Sequence, residues 1–484
     1  MDYPSLIFSS RPSGRVIDRD VFVDLKLSLL VGDAALDAMS RMCEPADIPL
    51  RQEMFASLED AETRLCYEKL ASTAGEVKRL RGALDRARCD NERHYIYCAM
   101  ICHMMSFYAG AAKAPGEGFF AGRFREFFSK ELSDERMASV AASCEDMLPR
   151  LDKVRVSCFR ERGEELWVRR CDDITIVERL KKAAEDLGLK DVRVTRDIEE
   201  HLNPRIVNAL SLLFPEDFTV FKKFYEENSD LFSEQFLRYG PELGFYIEIS
   251  RLMDRVRALG MPVCMPGLSQ ERVIDIRGIR DISLLAKEET NIIPNDALFS
   301  DEEPFFYLTG ANGGGKTTYL RGVGIAVSLF LSGCPICADS AKIYPLEGVF
   351  THFPRDERFD SEGRFADEQR RIKDIVARHG GNSLVLLNET YSTTSEELAV
   401  GLTERLAEQF YDSGSFGIYI THQHAIGESR IPFLSVIVDE SDANRRTYRI
   451  ARRRASDSSF AEDILRKYGM TEEALDRRFP AERE

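Results

Sequence analysis

Apolar residues recur at helical spacing through the first half of the chain. From Arg51 to about Ala112, the positions Leu65, Leu70, Val77, Leu80 and Leu84 are apolar with charges between them, which predicts long amphipathic helices. Short alternating runs at Val154 to Phe159 and Leu166 to Val168 flank the polar turn Glu161-Arg162-Gly163-Glu164, a β-hairpin signal. The helical period returns from Ile174 to Leu187. It returns again from Arg205 to about Leu259, with Pro204 in a first turn and a break expected near Pro241. After Pro266 and Gly267 the texture changes. Phe305 to Thr309, Ser383 to Leu387 and Phe416 to Ile420 read as strands, each followed by a polar turn and separated by helical stretches, so an α/β domain with a mainly parallel sheet is expected. No internal repeat or low-complexity segment interrupts this order.

Length and composition narrow the reading. A chain of 484 residues divides into two or three domains, and 44% hydrophobic with 31% charged residues matches folded proteins. The net charge of −16 argues against a broad electrostatic grip on nucleic acid, so any such contact is local. The apolar stretch Val323 to Ala338 is interrupted by Ser328, Ser332, Gly333 and Pro335 and is too short to span a bilayer; it reads as buried core, and no membrane association is expected. Asp2 and Arg11 with no apolar run behind them give no secretory signal, which predicts a cytoplasmic protein. Eleven scattered cysteines in apolar contexts suit reduced, mostly buried thiols. Cys334 with Cys337, and Cys98 and Cys102 with His103, have metal-like spacing but no second cluster, so packing is the favoured reading.

The chemistry-bearing residues lie at the predicted strand ends. Phe305-Phe306-Tyr307-Leu308-Thr309 runs into Gly310-Ala311-Asn312-Gly313-Gly314-Gly315-Lys316-Thr317-Thr318, the strand, glycine turn and helix start that a P-loop needs. Glycines let successive N–H groups face phosphate oxygens, the helix N-terminus adds positive potential, and Lys316 neutralises the β and γ phosphates of ATP, with Thr317 on Mg²⁺. A flexible glycine turn without a ligand would not need that lysine. The strand at Ser383 ends in Asn388-Glu389, where P-loop ATPases place two acids; Glu389 is the candidate to polarise the attacking water, and Asn388 to orient the Mg²⁺ shell with an oxygen but no charge. The strand at Phe416 ends in Thr421-His422, and His422 is the candidate donor to the γ phosphate. Each strand end alone could be ordinary polar sequence. All three in this order point to a nucleotide site.

Together these motifs resemble the MutS family of ATPases. The P-loop is similar to the family's Gly-Pro-Asn-Met-Gly-Gly-Lys-Ser-Thr, with Ala311, Gly313 and Thr317 as departures and Asn312 at the phosphate-sensing position. Asn291-Ile292-Ile293-Pro294-Asn295-Asp296 resembles the segment that covers the adenine, which implies that role for Ile292 and Ile293. Gly363-Arg364-Phe365-Ala366-Asp367-Glu368 is similar to the Ser-Thr-Phe-x-x-Glu loop that reaches a partner's nucleotide across a dimer, with Gly363 in place of the serine. Thr393-Thr394-Ser395 and Thr421-His422 match further family stretches, and Ser458 to Glu473 resembles a dimerising helix pair. The likeness is specific from about 270 to 475 and loose before it.

The resemblance implies a P-loop ATPase domain at 266–484 with a C-terminal dimerisation segment. It also implies a helical core domain at 1–115 and a lever or clamp-like region with the small hairpin at 116–265. The roughly fifty residues before Arg51 are too few for the family's mismatch-reading and connector domains, so a member without them is expected. Phe224-Tyr225-Glu226 superficially resembles the mismatch-reading motif but falls in a helical stretch. The implied function is a Mg²⁺-dependent ATPase of DNA repair or recombination, hydrolysing ATP at composite sites of a homodimer to move helical arms on DNA. Only small basic groups such as Lys153, Arg155, Arg160 and Arg162 speak for DNA directly. The alternative is a nucleotide-switched scaffold with a protein partner and weak hydrolysis, which the acidic balance, Asn388 and Gly363 favour. An ABC transporter subunit conflicts with the short interval from Lys316 to Glu389.

Overall fold

The computed structural model describes residues 3–10, 14–155, 158–162, 165–169, 204–310, 313–354, 361–391, 396–421, 429–438 and 446–452. The chain falls into two compact units, one of Met1–Leu6 with Ala56–Ile247 and the other of Ile7–Phe55 with Glu248–Glu484. This differs from the expected domains at 1–115 and 116–265. The segment after Leu6 carries α1 (Arg19–Asp24), α2 (Asp33–Ser40) and α3 (Asp47–Ser57) and packs with the α/β part. The reason is visible in its contacts: fully buried Arg51 donates from Nε to Ile7 O at 2.8 Å and from Nη1 to Ser332 O at 3.1 Å, and Gln52 Nε2 donates to Pro266 O at 2.8 Å.

The helical unit holds α4 (Ala61–Asp85), α5 (Asp90–Ala111), α6 (Phe119–Ser133), α7 (Glu135–Arg155), α8 (Pro204–Leu213) and α9 (Pro215–Asn228), and α10 (Tyr239–Ala258) begins there. Asp60 caps α4 by accepting the Thr63 N–H at 2.8 Å, relieving one of the unpaired donors of a helix start. Helix α5 is buried nearly all round from Tyr95 to Tyr108, as a helix apolar on every face must be. Its Phe107 and Tyr108 join Tyr3, Phe124, Phe128, Phe236 and Tyr239 in edge-on and stacked ring contacts. Pro204 opens α8 as expected, whereas the break predicted near Pro241 lies earlier: a 3₁₀ turn at Glu234–Arg238 precedes α10, and Pro241 sits in that helix's first turn, where the missing N–H costs nothing. The hairpin is present as β1 (Cys158–Arg162) against β2 (Glu165–Arg169), antiparallel. It starts later than predicted because α7 runs through Val154, so Glu161 and Arg162 are strand rather than turn. The helix expected from Ile174 to Leu187 lies outside the described residues.

The α/β unit contains two sheets. One has four strands in the order β3 (Gly267–Leu268), β7 (Ser340–Ile343), β4 (Ile274–Ile279), β5 (Asn295–Phe299). The other has six, in the order β12 (Arg446–Arg452), β11 (Phe433–Val438), β6 (Phe305–Thr309), β10 (Phe416–Ile420), β9 (Ser383–Asn388), β8 (Gly348–His352). All pairs of the larger sheet are parallel except β11 with β12. Strands β6, β9 and β10 read as continuous apolar runs because both faces are covered. Helices α12 (Ser361–Arg378) and α13 (Glu396–Asp412) cover one face through Ile372, Ile375, Leu406 and Phe410. Helix α11 (Lys316–Leu331) is buried along most of its length, so the stretch from Val323 is core as expected. Among the described residues no helix is long and apolar enough to cross a membrane, and nine cysteines are free thiols, six of them buried.

Candidate functional site

Three adjacent parallel strands end together. Ile420 of β10 pairs with Leu308 of β6 on one side and with Asn388 of β9 on the other. The Thr421 N–H donates to Leu308 O at 3.2 Å and the Glu389 N–H to Ile420 O at 3.0 Å, which pins the ends. The segments leaving β6 and β9 therefore start two strand spacings apart, about 10 Å at the backbone. This is the carboxyl edge, where open α/β sheets bind ligands.

From β6 the chain turns through Gly310, Gly313 and Gly315, with φ of 127°, 72° and 92°, into α11. No other residue fits at Gly310, since a Cβ there would stand 2.9 Å from Val436 Cβ. Gly314 is buried, Thr317 and Thr318 are half-buried in the first helical turn, and the helix N-terminus gives the loop positive potential. Lys316 is 5% exposed, and its Nζ donates to Gly310 O at 2.7 Å. Burial pushes its ammonium down to about 8, against the pull of the Glu389 carboxylate in the other direction, and Arg446 adds to the lowering.

Across from this loop, Asn388 is buried and, among the described residues, nothing donates a hydrogen bond to its Oδ1. A buried acceptor left without a donor costs about 1–3 kcal/mol. Glu389 and Tyr391 both adopt left-handed backbone, φ 51° and 66°, at a cost of order 1–3 kcal/mol each.

Beside the loop lies a cavity of about 230 Å³ lined by Ile292, Ile293, Asn291, Gly315, Thr318 and Tyr448, among others. Asn295 builds its wall: Nδ2 donates to Tyr448 O at 3.0 Å and Oδ1 accepts the Ile450 N–H at 2.7 Å. Tyr319 closes the other side by donating to Asp296 O at 2.9 Å. Sequence reasoning missed Tyr448 and the clamping role of Asn295. The faint alternation of Arg446 to Arg452 is the only signal that could have marked that edge strand.

The structure thus brings Ile292, Ile293, Gly310, Gly313 to Thr318, Asn388 and Glu389 to one sheet edge and its neighbouring cavity. Gly363, Arg364 and Phe365 lie in the opening turns of α12 rather than in a loop, because Ile372 and Ile375 at helical spacing bury one face of that segment. Asn312, Ser395 and His422 lie outside the described residues, as does the tail from residue 453. Of the basic groups named for DNA, Lys153 is engaged by Asp217, Nζ to Oδ2 at 2.9 Å, alongside Arg150 at 3.1 Å. The side chains of Arg155, Arg160 and Arg162 are outside the described set.

A family model described as MutS domain V matches residues 306–473. The chain is 28% identical over 224 residues to the DNA mismatch repair protein MutS of Chlorobaculum tepidum, covering 44% of this chain and 25% of that protein. It is also 28% identical over 169 residues to the mouse DNA mismatch repair protein Msh3, covering 34% and 16%, and 34% identical over 127 residues to the mitochondrial mismatch repair protein MSH1 of Arabidopsis thaliana, covering 26% and 11%. The matched stretch spans a quarter or less of the length of these relatives.

Proposed function

Because the chain is a MutS-family protein through the domain V at residues 306–473, we propose that it binds and hydrolyses ATP with Mg²⁺ at the carboxyl edge of the six-stranded sheet. The observation that carries this is Lys316, a buried ammonium inside a glycine loop, one of whose hydrogen bonds goes to the loop's own Gly310 carbonyl. Phosphate oxygens would replace that carbonyl and restore the charge that burial disfavours. The cavity at Ile292 and Ile293 suits one planar ring system rather than a larger ligand, in keeping with the adenine. The residues present fit the metal: Thr317 supplies a hydroxyl and Asn388 an oxygen with no donor among the described residues. Bound Mg²⁺ would neutralise charge on the β and γ phosphates. Glu389 would hold and polarise the attacking water, and Thr421-His422 follows the strand between the two edges, where His422 would donate to the γ phosphate.

The family also supports a homodimer, in which the segment Gly363-Arg364-Phe365, with Ser395, would serve a partner's nucleotide, and DNA as the target in repair or recombination. Titrating a fluorescent ATP analogue and measuring turnover tests the reading. Wild-type protein should bind and hydrolyse, Glu389→Gln should bind without turnover, and no affinity for any purine nucleotide would end the proposal. Mass in solution with and without ATP tests the dimer. A gel-shift panel of duplex, mismatched, branched and single-stranded DNA at low salt tests the target. The engagement of Lys153 by Asp217, with the net charge of −16, favours a second reading in which the nucleotide switches a scaffold for a protein partner. Tight ATP binding with no turnover and no DNA shift would select it.

A further inference from the structure

We propose that His352, Thr390 and Tyr419 form a rack that aims the Glu389 carboxylate, as positioning residues for the hydrolysis proposed above, on which this inference rests. His352 ends β8 opposite Leu387 of β9 and is 1% exposed. Its Nδ1 lies 3.2 Å from Thr390 Oγ1, so the fourth strand of the edge reaches the residue immediately after Glu389. The main chain of Thr390 is held from the other side: Tyr419 Oη, on β10, donates to Thr390 O at 3.3 Å and lies 3.1 Å from Thr403 Oγ1 on α13. Thr390, Thr403 and Tyr419 are all buried.

The position of Thr390 gives these bonds their purpose. It stands between Glu389 and Tyr391, both with left-handed backbone, and neither is glycine. A glutamate left to itself returns to the extended or right-handed helical region, which would swing its Cα–Cβ bond away from the loop around Lys316. Here the conformation is imposed by hydrogen bonds at the Glu389 N–H and at the side chain and carbonyl of Thr390. The surrounding cluster is built largely of apolar side chains, among them Phe305, Val385, Leu387 and Ile431. Apolar residues could fill that space as well, and a buried hydroxyl placed there is costly unless it is hydrogen-bonded, as those of Thr390, Thr403 and Tyr419 are. A hydrogen-bonded chain from β8 to α13 behind one carboxylate is what holding that carboxylate requires.

The test compares Thr390→Val, Thr390→Ser and Tyr419→Phe with wild type and Glu389→Gln. Affinity is read with a fluorescent ATP analogue in the presence of Mg²⁺, and the chemical step by single-turnover hydrolysis. Thr390→Val and Tyr419→Phe should slow hydrolysis about ten- to a hundredfold with affinity within about twofold of wild type, and Thr390→Ser should return to within about threefold of the wild-type rate. A merely structural role would lower affinity and rate together, which overturns the proposal. Wild-type rates in both variants, while Glu389→Gln is inactive, overturn the rack and leave the ATPase reading standing. A wild-type protein that does not hydrolyse ATP, or a Glu389→Gln variant that does so unimpaired, overturns both. Should Thr390→Val fail to fold, Tyr419→Phe, which deletes one oxygen, decides the matter.

Discussion

The helical unit and the carboxyl edge of the six-stranded sheet treat buried charge in opposite ways. In the helical unit Glu242 is 3% exposed and fully engaged, accepting from Ser5 Oγ at 2.9 Å, the Leu6 N–H at 2.6 Å and Arg238 at 3.3 Å. Asp217, equally buried, takes Arg150 and Lys153. At the sheet edge, Lys316 bonds the carbonyl of its own loop, Asn388 Oδ1 has no donor among the described residues, and Glu389 carries left-handed backbone. The first arrangement ties distant parts of the chain together. The second leaves charge and oxygen poised at a local cost, the pattern expected where a ligand completes the electrostatics.

Replacing the central charge in each region should break the contrast most sharply. Under the ATP reading proposed above, Lys316→Ala would remove the charge-assisted bonds to phosphate and is expected to weaken nucleotide binding by roughly 4 kcal/mol, about a thousandfold, in a fluorescence titration. The same variant should melt no lower than wild type, because it also removes a buried ammonium. Glu242→Ala is expected to do the reverse, lowering stability by about 3 kcal/mol in denaturant titration, since it strands the buried donors of Ser5 and Leu6. If Lys316→Ala unfolds the protein, or Glu242→Ala is silent, the two regions do not differ as described.

The sheet edge was far more legible from sequence than the packing around it. Strands β6, β9 and β10 are unbroken apolar runs ending in glycine, asparagine and threonine, so their period and punctuation mark them and their ends. The cavity beside the loop was foreseen only at Ile292 and Ile293; Tyr448 enters from a charged edge strand whose pairing with β11 is a long-range fact. The attachment of residues 7–55 to the α/β unit was invisible, because it depends on one buried guanidinium, Arg51, reaching Ile7 and Ser332. Likewise His352 and Thr390 carry no motif. They acquire a role only when β8 is laid beside β9.

The lowered Lys316 sharpens the comparison through pH. With its folded pKa near 8 and its ordinary value at 10.5, the folded protein loses this proton first. Between those values the unfolded chain binds more protons, so this group makes stability rise with pH across about pH 8 to 10.5, while below pH 8 its buried charge is a standing cost. Phosphate binding needs the charged form. Nucleotide affinity should therefore fall about tenfold from pH 7 to pH 9, with proton uptake on binding at pH 9, seen as a buffer-dependent heat in calorimetry. Lys316→Arg, which stays charged, should flatten the profile even where it binds less well. Affinity independent of pH over this range would mean that the ammonium does not meet the phosphates.

The smallest effect concerns the metal. Beside Glu389, Asn388 presents a neutral oxygen with no donor among the described residues, so Asn388→Asp adds a charge at the same point with little change of shape. Without metal that charge is buried close to the Glu389 carboxylate and should cost stability by about 1 kcal/mol. With metal the balance reverses, because a carboxylate oxygen binds Mg²⁺ more strongly than an amide oxygen. The Mg²⁺ concentration at half-maximal nucleotide binding should fall about threefold, and the melting temperature of the variant should depend on Mg²⁺ and ATP more steeply than that of the wild type. An unchanged metal requirement would show that Asn388 Oδ1 faces a water or the protein interior rather than the metal shell. The poised character of the sheet edge would then rest on Lys316 and Glu389 alone.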